Sequence, residues 1–80
     1  SFLTCGPIEA RAWTIEHGSK APAAAGVINT DFEKKFIKAD VVSFPEFIGW
    51  KQGREEGKVR SEGREYVIKD GDVVEFKIGA

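Results

Sequence analysis

The chain opens with two short runs typical of β-strands, and the second alternates along its length. The first is FLT, residues 2–4, and the second is RAWTIE, residues 11–16, with a Gly-Pro pair between them. A period of two places successive side chains on opposite faces of a sheet, and Gly-Pro favours a turn. The pattern therefore predicts a β-hairpin, with Trp13 and Ile15 favouring the buried face.

A run of very small residues then predicts a thin helix. Pro22 suits the first turn of a helix, where its missing N–H costs nothing, and the alanines at 23–25 are strong helix formers with little bulk. Gly26 costs about 1 kcal/mol of helix stability relative to alanine, which indicates close approach to another element. We expect this helix to lie flush against a sheet.

The sequence NTDFEKKF marks a junction to a second short helix. Thr30 and Glu33 have the spacing of a capping box, in which the hydroxyl and the carboxylate each bond a backbone N–H of the first turn. Asp31 suits the positive end of that helix. Phe32 and Phe36 are expected to face inward.

A third alternating run, FIKADVVSF, predicts another strand. Ile37, Ala39 and Val41 share one side, while Lys38 and Asp40 point away.

The next two segments are less regular. PEFIGW, residues 45–50, predicts a helical turn that carries Phe47, Ile48 and Trp50 into the core. KQGREEGKVRSEG, residues 51–63, is polar and rich in glycine, and it predicts an exposed loop or a frayed helix.

Two further strands are predicted to complete the fold. EYVI, residues 65–68, and VVEFKI, residues 73–78, flank the turn sequence DGD. The order of elements predicts an α+β roll, a mixed sheet with a helix packed on one face. To close the roll, the last strand has to pair centrally, beside the first.

Composition and charge limit the classes of function. Eighty residues allow one domain with one small core, and no apolar run approaches the roughly 20 residues that span a bilayer, so no membrane role is expected. The net charge of −1 is unlike that of a non-specific nucleic-acid binder. Any RNA contact must therefore use a local patch.

Catalytic and metal chemistry have little support. Cys5 and His17 are the only residues of their types, too few for a zinc set, and a single cysteine favours a reducing cytoplasm. The carboxylates of Asp70 and Asp72 are typical of a turn. The sequence lacks G-x-x-x-x-G-K-[ST], so no phosphate cradle of that kind is expected.

Several motifs at consistent spacing resemble the TGS domain, a β-grasp (ubiquitin-like) module of threonyl-tRNA synthetases, certain GTPases and the RelA/SpoT enzymes. After the hairpin come G-x-x-A-P-x-x-A-x-x-I, a Thr-Asp pair, an alternating strand and G-D-x-V. The residues that carry this pattern are Gly18, Ala21, Pro22, Ala25, Ile28, Thr30, Asp31, Gly71, Asp72 and Val74.

The chain is more similar still to the C-terminal domain of the Obg-like ATPases, also called YchF. RAWTI, KAPAAAGVI, TDFEK, FIKADV, EGKVRSEGREYV and DGDVV follow that family's order. The resemblance implies one TGS domain over residues 1–80, the C-terminal piece of a larger cytoplasmic P-loop ATPase or GTPase. It implies no cofactor in this fragment, ATP or GTP with magnesium in the parent, and association with the ribosome.

The resemblance also implies a non-catalytic contact with the ribosome or structured RNA. Lysine and arginine can meet phosphates, but interleaved with glutamates they can equally be solvated charges. That family usually has His-Thr-Asp where this chain has Asn-Thr-Asp, which removes a ring able to stack on a base. The candidate contacts are Lys20, Asn29, Lys34, Lys35, Lys38, Arg54, Lys58, Arg60 and Arg64.

A second reading is a protein-interaction module, docked through its sheet on a partner or on the parent's own ATPase domain. Salt separates the two readings, since phosphate contacts weaken steeply with ionic strength and an apolar interface changes little. A stand-alone enzyme is disfavoured, and no sequence-specific DNA binding is expected.

Overall fold

The computed structural model describes residues 2–5, 10–13 and 18–79. Within these ranges the chain forms five strands, three α-helices and one 3-10 helix at Phe44–Glu46. The strands are β1 (Phe2–Cys5), β2 (Ala10–Trp13), β3 (Phe36–Ser43), β4 (Arg60–Glu62) and β5 (Asp72–Ile78). The helices are α1 (Ala21–Ile28), α2 (Thr30–Lys35) and α3 (Trp50–Glu55).

The strands form one mixed sheet in the order β2-β1-β5-β3-β4. β1 and β2 pair antiparallel, with Phe2 opposite Trp13, which confirms the predicted hairpin. β5 lies in the centre, parallel to β1 and antiparallel to β3. The predicted central place of the last strand is therefore confirmed, and the architecture is the α+β β-grasp.

The core lies between α1 and one face of the sheet. Ala21, Ala24 and Ala25 have no exposed surface, while Ala23 faces solvent. Because these three side chains are only methyl groups, the helix packs directly on the apolar side chains of the sheet, as expected from the run of small residues. The sheet side of this core includes Phe2, Phe36, Ala39, Val41 and Val74.

Gly26 does mark a close approach, and its neighbour is the second helix. A Cβ at this position would lie 3.1 Å from Oε1 of Glu33 and 3.3 Å from its Cβ. The missing side chain of Gly26 thus makes room for α2 beside α1.

The cap of α2 differs from the predicted capping box. Asn29 is the N-cap, and its Oδ1 accepts a hydrogen bond of 3.0 Å from the backbone N–H of Asp31. Thr30 is already the first helical residue. The prediction of Thr30 as cap is wrong by one residue, because asparagine is the better N-cap of the two. Asp31 does lie in the acidic first turn, as expected.

A bulge at the start of β3 changes the predicted alternation. Phe36 pairs with Ile78 and Lys38 pairs with Lys77, so Ile37 is the extra residue. Phe36 is buried, whereas Ile37 is 59% exposed instead of lying with Ala39 in the core. The prediction for Ile37 is wrong, because a bulge inserts one residue without a matching partner and shifts the pleat.

Asp40 lies on the face of the sheet opposite α1, as predicted, but it is buried. Asp40 is 3% exposed, and Val42, the next residue of β3 on the same face, is 1% exposed. Arg54 of α3 donates a hydrogen bond to the Asp40 carboxylate. A short helix therefore covers part of the second face, which the sequence reading left open to solvent.

The segment after β3 is only partly as predicted. The rings of Phe47 and Trp50 pack edge to face with centroids 5.2 Å apart, but both are half-buried and lie outside the main core cluster. Ile48 is 48% exposed, so its predicted burial is wrong. The helical alternative is confirmed for residues 51–55 of the segment 51–63, which belong to α3, whereas β4 at Arg60–Glu62 was not predicted.

Residues 65–68 do not form the predicted strand. They contribute a single bridge, from Val67 to Lys20. The polar sequence of β4 pairs with β3 instead, because pairing in a sheet depends on the available neighbour more than on local propensity. Predicted strand residues 14–16, the Gly-Pro turn and His17 lie outside the described residues.

Candidate functional site

Four of the nine predicted contact residues are engaged in ion pairs. Lys20 and Glu65 lie 2.8 Å apart, Lys58 and Glu56 3.7 Å, and Arg60 and Glu62 3.4 Å. Arg54 pairs with the buried Asp40. The hydrogen bond from Lys20 lowers the pKa of the Glu65 carboxyl below its ordinary value. These four cations are therefore partly neutralised before any partner arrives.

Arg60 also belongs to a hydrogen-bonded chain. Its Nη2 donates to the Tyr66 hydroxyl at 3.1 Å, and that hydroxyl donates to Oδ2 of Asp72 at 2.7 Å. The backbone N–H of Lys69 donates to the same oxygen at 2.9 Å. Burial, followed by the hydrogen bond to Asp72, raises the pKa of Tyr66 to about 12. This arrangement stabilises the turn into β5, so a structural role accounts for Arg60.

Asn29 is occupied as well. Its Oδ1 accepts from Asp31 as the cap of α2, which leaves the amide NH₂ as the group able to donate to a partner.

Lys34, Lys35 and Lys38 form a different group. All three are exposed, and within the described residues none has an ion-pair partner. Lys34 and Lys35 lie in the last turn of α2, where cations interact favourably with the helix dipole. Lys38 lies directly across the ladder from Lys77, whose ammonium is 2.6 Å from Oε1 of Glu75.

Arg64 joins this group from a distant part of the sequence. Its Nη2 donates to the backbone carbonyls of Phe36 at 3.1 Å and Lys34 at 3.4 Å, and the guanidinium carbon lies 5.6 Å from the centroid of the Phe36 ring. The fold thus brings four of the nine candidates together at the end of α2. We define the basic patch as Lys34, Lys35, Lys38 and Arg64.

Two large apolar side chains are exposed after β3, which the sequence pattern did not indicate. Phe44 is 56% exposed and Ile48 is 48% exposed, at the two ends of the segment that follows β3. Phe44 was assigned to a strand, but it immediately precedes Pro45, which cannot donate to a ladder and so ends the strand. Pro45 is the feature of the sequence that could have indicated that Phe44 lies beyond the strand. We define the apolar patch as Phe44 and Ile48.

The described ranges hold neither a cluster of metal ligands nor a membrane-spanning helix. Among the described residues, no three His, Cys, Asp or Glu side chains are grouped as metal ligands would be. The helices described here are all too short to cross a membrane. Asp72 of the DGD sequence is engaged by Tyr66 and Lys69 within the turn.

Sequence comparison places the chain among proteins of one kind. The family model YchF-GTPase_C, described as "Protein of unknown function (DUF933)", matches residues 1–79. "Ribosome-binding ATPase YchF" of Escherichia coli O157:H7 is 54% identical over 79 residues, covering 95% of this chain and 22% of the relative. "Obg-like ATPase 1" of Gallus gallus is 51% identical over 82 residues, covering 95% of this chain and 20% of the relative.

Structural comparison agrees. The chain matches "Structure of the Schizosaccharomyces pombe YchF GTPase" with a TM-score of 0.84 and 42% sequence identity, over 95% of this chain and 21% of that chain. The chain therefore spans about a fifth of the length of the relatives that it matches.

Proposed function

The chain belongs to the C-terminal domain family of the YchF and Obg-like ATPases, and we propose that it is a non-catalytic module that contacts the ribosome or structured RNA. Two curated relatives, from Escherichia coli and Bacillus subtilis, are named ribosome-binding ATPases. The observation that carries the proposal is the basic patch. Its three lysines are exposed and have no ion-pair partner among the described residues, and beside them lies Arg64, which is hydrogen-bonded to backbone carbonyls.

The proposal includes the setting of the module. Residues 1–80 act as a single TGS domain in the C-terminal part of a larger cytoplasmic P-loop protein. ATP or GTP with magnesium is bound and hydrolysed by another domain of that protein, since the sequence of this chain lacks a P-loop. The contact to the ribosome is made through phosphates, which accounts for a local patch on a chain of net charge −1.

The test is co-sedimentation of the chain with ribosomes at about 50 mM and 200 mM salt. We expect the native chain to bind ribosomes much more weakly at the higher salt concentration. The variant Lys34→Gln/Lys35→Gln/Lys38→Gln should bind more weakly than the native chain at both salt concentrations. The matched control is Lys20→Gln/Lys51→Gln/Lys58→Gln, which removes the same charge from exposed or half-buried lysines outside the basic patch, two of them paired with glutamates. Binding that is insensitive to salt and to the patch variant would overturn the proposal.

The apolar patch supports a second candidate function, docking on the parent's own ATPase domain. Exposed Phe44 and Ile48 offer apolar surface that a neighbouring domain would cover. This function predicts that Phe44→Ser/Ile48→Ser changes the ATPase rate of the whole parent protein with little dependence on salt, while ribosome binding is retained. An unchanged rate would exclude it.

A further inference from the structure

The short helix α3 lies between two glycines with unusual backbone angles. Gly49, which precedes the helix, has a φ of 117°, and Gly57, in the turn that follows it, has a φ of 71°. Residues with a side chain rarely adopt such angles, whereas glycine adopts them readily. Hinges are a few positions at the ends of an element that absorb changes of φ and ψ, and both glycines have such positions. We define the strap as residues 49–57.

The strap is a self-contained unit that is joined to the sheet through Arg54. Four backbone N–H groups of residues 53–58 donate to carbonyls of residues 49–54. The guanidinium carbon of Arg54 lies 5.9 Å from the centroid of the Trp50 ring, within the same helix. Of the hydrogen bonds described for the strap, the one from Arg54 to Asp40 reaches the sheet.

Two carboxylates lie side by side on the second face of the sheet, and Arg54 compensates one of them. Asp40 on β3 pairs across the ladder with Glu75 on β5, so both side chains point to this face. Like charges directly opposite each other destabilise a sheet. Lys77 donates to Glu75 at 2.6 Å, and Arg54 donates to Asp40. Arg54 therefore holds the strap closed by neutralising a carboxylate that is 3% exposed.

Val42 is buried on this face without belonging to the core beneath α1. It is 1% exposed, and its partner across the ladder, Val73, is 2% exposed. Neither is part of the hydrophobic cluster that packs against α1. Because α1 covers the other face, these valines are shielded from the side on which Arg54 holds the strap.

The closed strap leaves two polar groups poorly hydrated. The indole N–H of Trp50 is buried and has no acceptor among the described residues, so it would gain a hydrogen bond on contact with water. Asp40 would regain hydration in the same way. α3 has six residues, too few to remain helical without tertiary contacts. Opening of the strap would therefore melt α3 and return both groups to water.

We propose that the strap opens on its two glycine hinges as a local unit while the rest of the fold stays intact, with the pair of Arg54 and Asp40 as its latch. Proteins open in such local units at free energies below that of global unfolding. Opening uncovers Val42 beside the carboxylates of Asp40 and Glu75. Access to this apolar and acidic part of the second face depends on whether the strap is open.

Thiol labelling at two buried positions tests the proposal. Both variants carry Cys5→Ser, since Cys5 is the only cysteine. Val42→Cys places a thiol on the side of the strap, and Val74→Cys places one in the core beneath α1. In excess N-ethylmaleimide without denaturant, Val42→Cys should react at least about tenfold faster than its own global unfolding allows. Val74→Cys should react at the rate that global unfolding sets.

A core substitution separates local opening from global unfolding. Ile68→Val removes a methyl group from the cluster beneath α1 and leaves the strap unchanged. It should therefore speed labelling at position 74 several-fold and leave the rate at position 42 unaltered. Equal acceleration at both positions would show that Val42 is exposed only when the whole chain unfolds, which would overturn the proposal.

Arg54→Met tests the latch. In the Val42→Cys background it should speed labelling by about tenfold, because the closed strap then buries a carboxylate without its charged partner. The control Lys58→Met breaks an exposed ion pair at the edge of the strap and should speed labelling by less than about fivefold. Equal effects of the two substitutions would remove Arg54 from the proposal.

Hydrogen exchange measures the same opening in the unmodified chain. The amides of Gly53, Glu56 and Lys58 donate to carbonyls of the strap. After correction for intrinsic rates, they should exchange at least about tenfold faster than the paired amides of β5. Circular dichroism establishes whether each cysteine variant is folded. Equal protection of the strap and of β5 would overturn the proposal whether or not those variants fold.

Discussion

Arg54 on α3 donates a hydrogen bond to Asp40 on β3, and this pair joins the short helix to the second face of the sheet. The Asp40 side chain is 5% exposed, whereas that of Arg54 is 49% exposed. The buried partner therefore depends on the exposed one for compensation of its charge.

We expect Arg54→Met to destabilise the fold by about 1–3 kcal/mol, because it leaves a buried carboxylate without its charged partner. The cost should stay below that of breaking a fully buried pair, since water reaches Arg54. Urea unfolding measures the change. Lys58→Met, which breaks an exposed pair of 3.7 Å, is the control and should cost less than about 1 kcal/mol. Equal effects of the two variants would show that burial of Asp40 has no energetic consequence.

Gly26→Ala tests the contact between α1 and α2. Helix propensity alone predicts stabilisation by about 1 kcal/mol, but the new methyl group would lie 3.3 Å from Cβ of Glu33. We expect no stabilisation from the single substitution. In a Glu33→Ala background the carboxylate contact at 3.1 Å is gone, and Gly26→Ala should then be more favourable than in the native chain. Thermal unfolding of the four proteins measures the coupling, and full stabilisation by Gly26→Ala alone would contradict it.

The position of the α2 cap gives a paired prediction. Asn29→Ala removes the side chain that accepts from Asp31, and it should cost about 1 kcal/mol of unfolding free energy. Thr30→Ala changes a residue inside the helix and should change stability by less than about 0.5 kcal/mol. The reverse order of costs, measured by denaturant unfolding, would restore Thr30 as the cap.

The raised pKa of Tyr66 predicts that the stability of the fold depends on pH in the alkaline range. It is the only tyrosine of the chain, so tyrosinate absorbance reports this residue alone. Burial and the hydrogen bond to Asp72 raise its pKa to about 12, above the ordinary value of about 10. A raised pKa in the folded state favours the neutral hydroxyl, so this contribution to stability is complete below about pH 10 and is lost as the pH rises through about 12.

We expect the folded chain to titrate with a midpoint near pH 12 and the urea-unfolded chain near pH 10. Asp72→Asn should lower the folded midpoint, because it removes the charged acceptor. Circular dichroism over the same range shows whether the fold persists. If the folded chain titrated with the same midpoint as the unfolded chain, the raised pKa of Tyr66 would be disproved.

Local sequence patterns predicted an element best where the residue types in it are compatible with few structures. The alanines of α1 favour a thin helix in close contact, and Pro22 is compatible with a helix only in its first turn, so that element could be predicted with its packing. β5 could be predicted because alternation holds from Val74 to Ile78 and Val74 and Phe76 both face the core. At Ile37 the same rule failed, because a bulge changes the face without changing the composition.

The candidate site could be named only in part. All four residues of the basic patch were among the nine candidates, but so were Lys20, Arg54, Lys58 and Arg60, which the fold pairs with carboxylates. Nothing local distinguishes Lys20 from Lys34. The partner of Lys20 is 45 residues away in the sequence, and the sequence around each lysine is equally polar.

By itself the sequence determined most of the strands and the first two helices, because apolar periodicity and caps are properties of neighbouring residues, and the resemblance of its motifs indicated the family and the β-grasp architecture. Only the tertiary structure decided that Asp40 is buried, that β4 replaces the expected strand at 65–68, and that Arg64 lies among the lysines of α2. Those outcomes depend on contacts between segments 14 to 30 residues apart, and the free energy of such contacts depends on which neighbour the fold supplies.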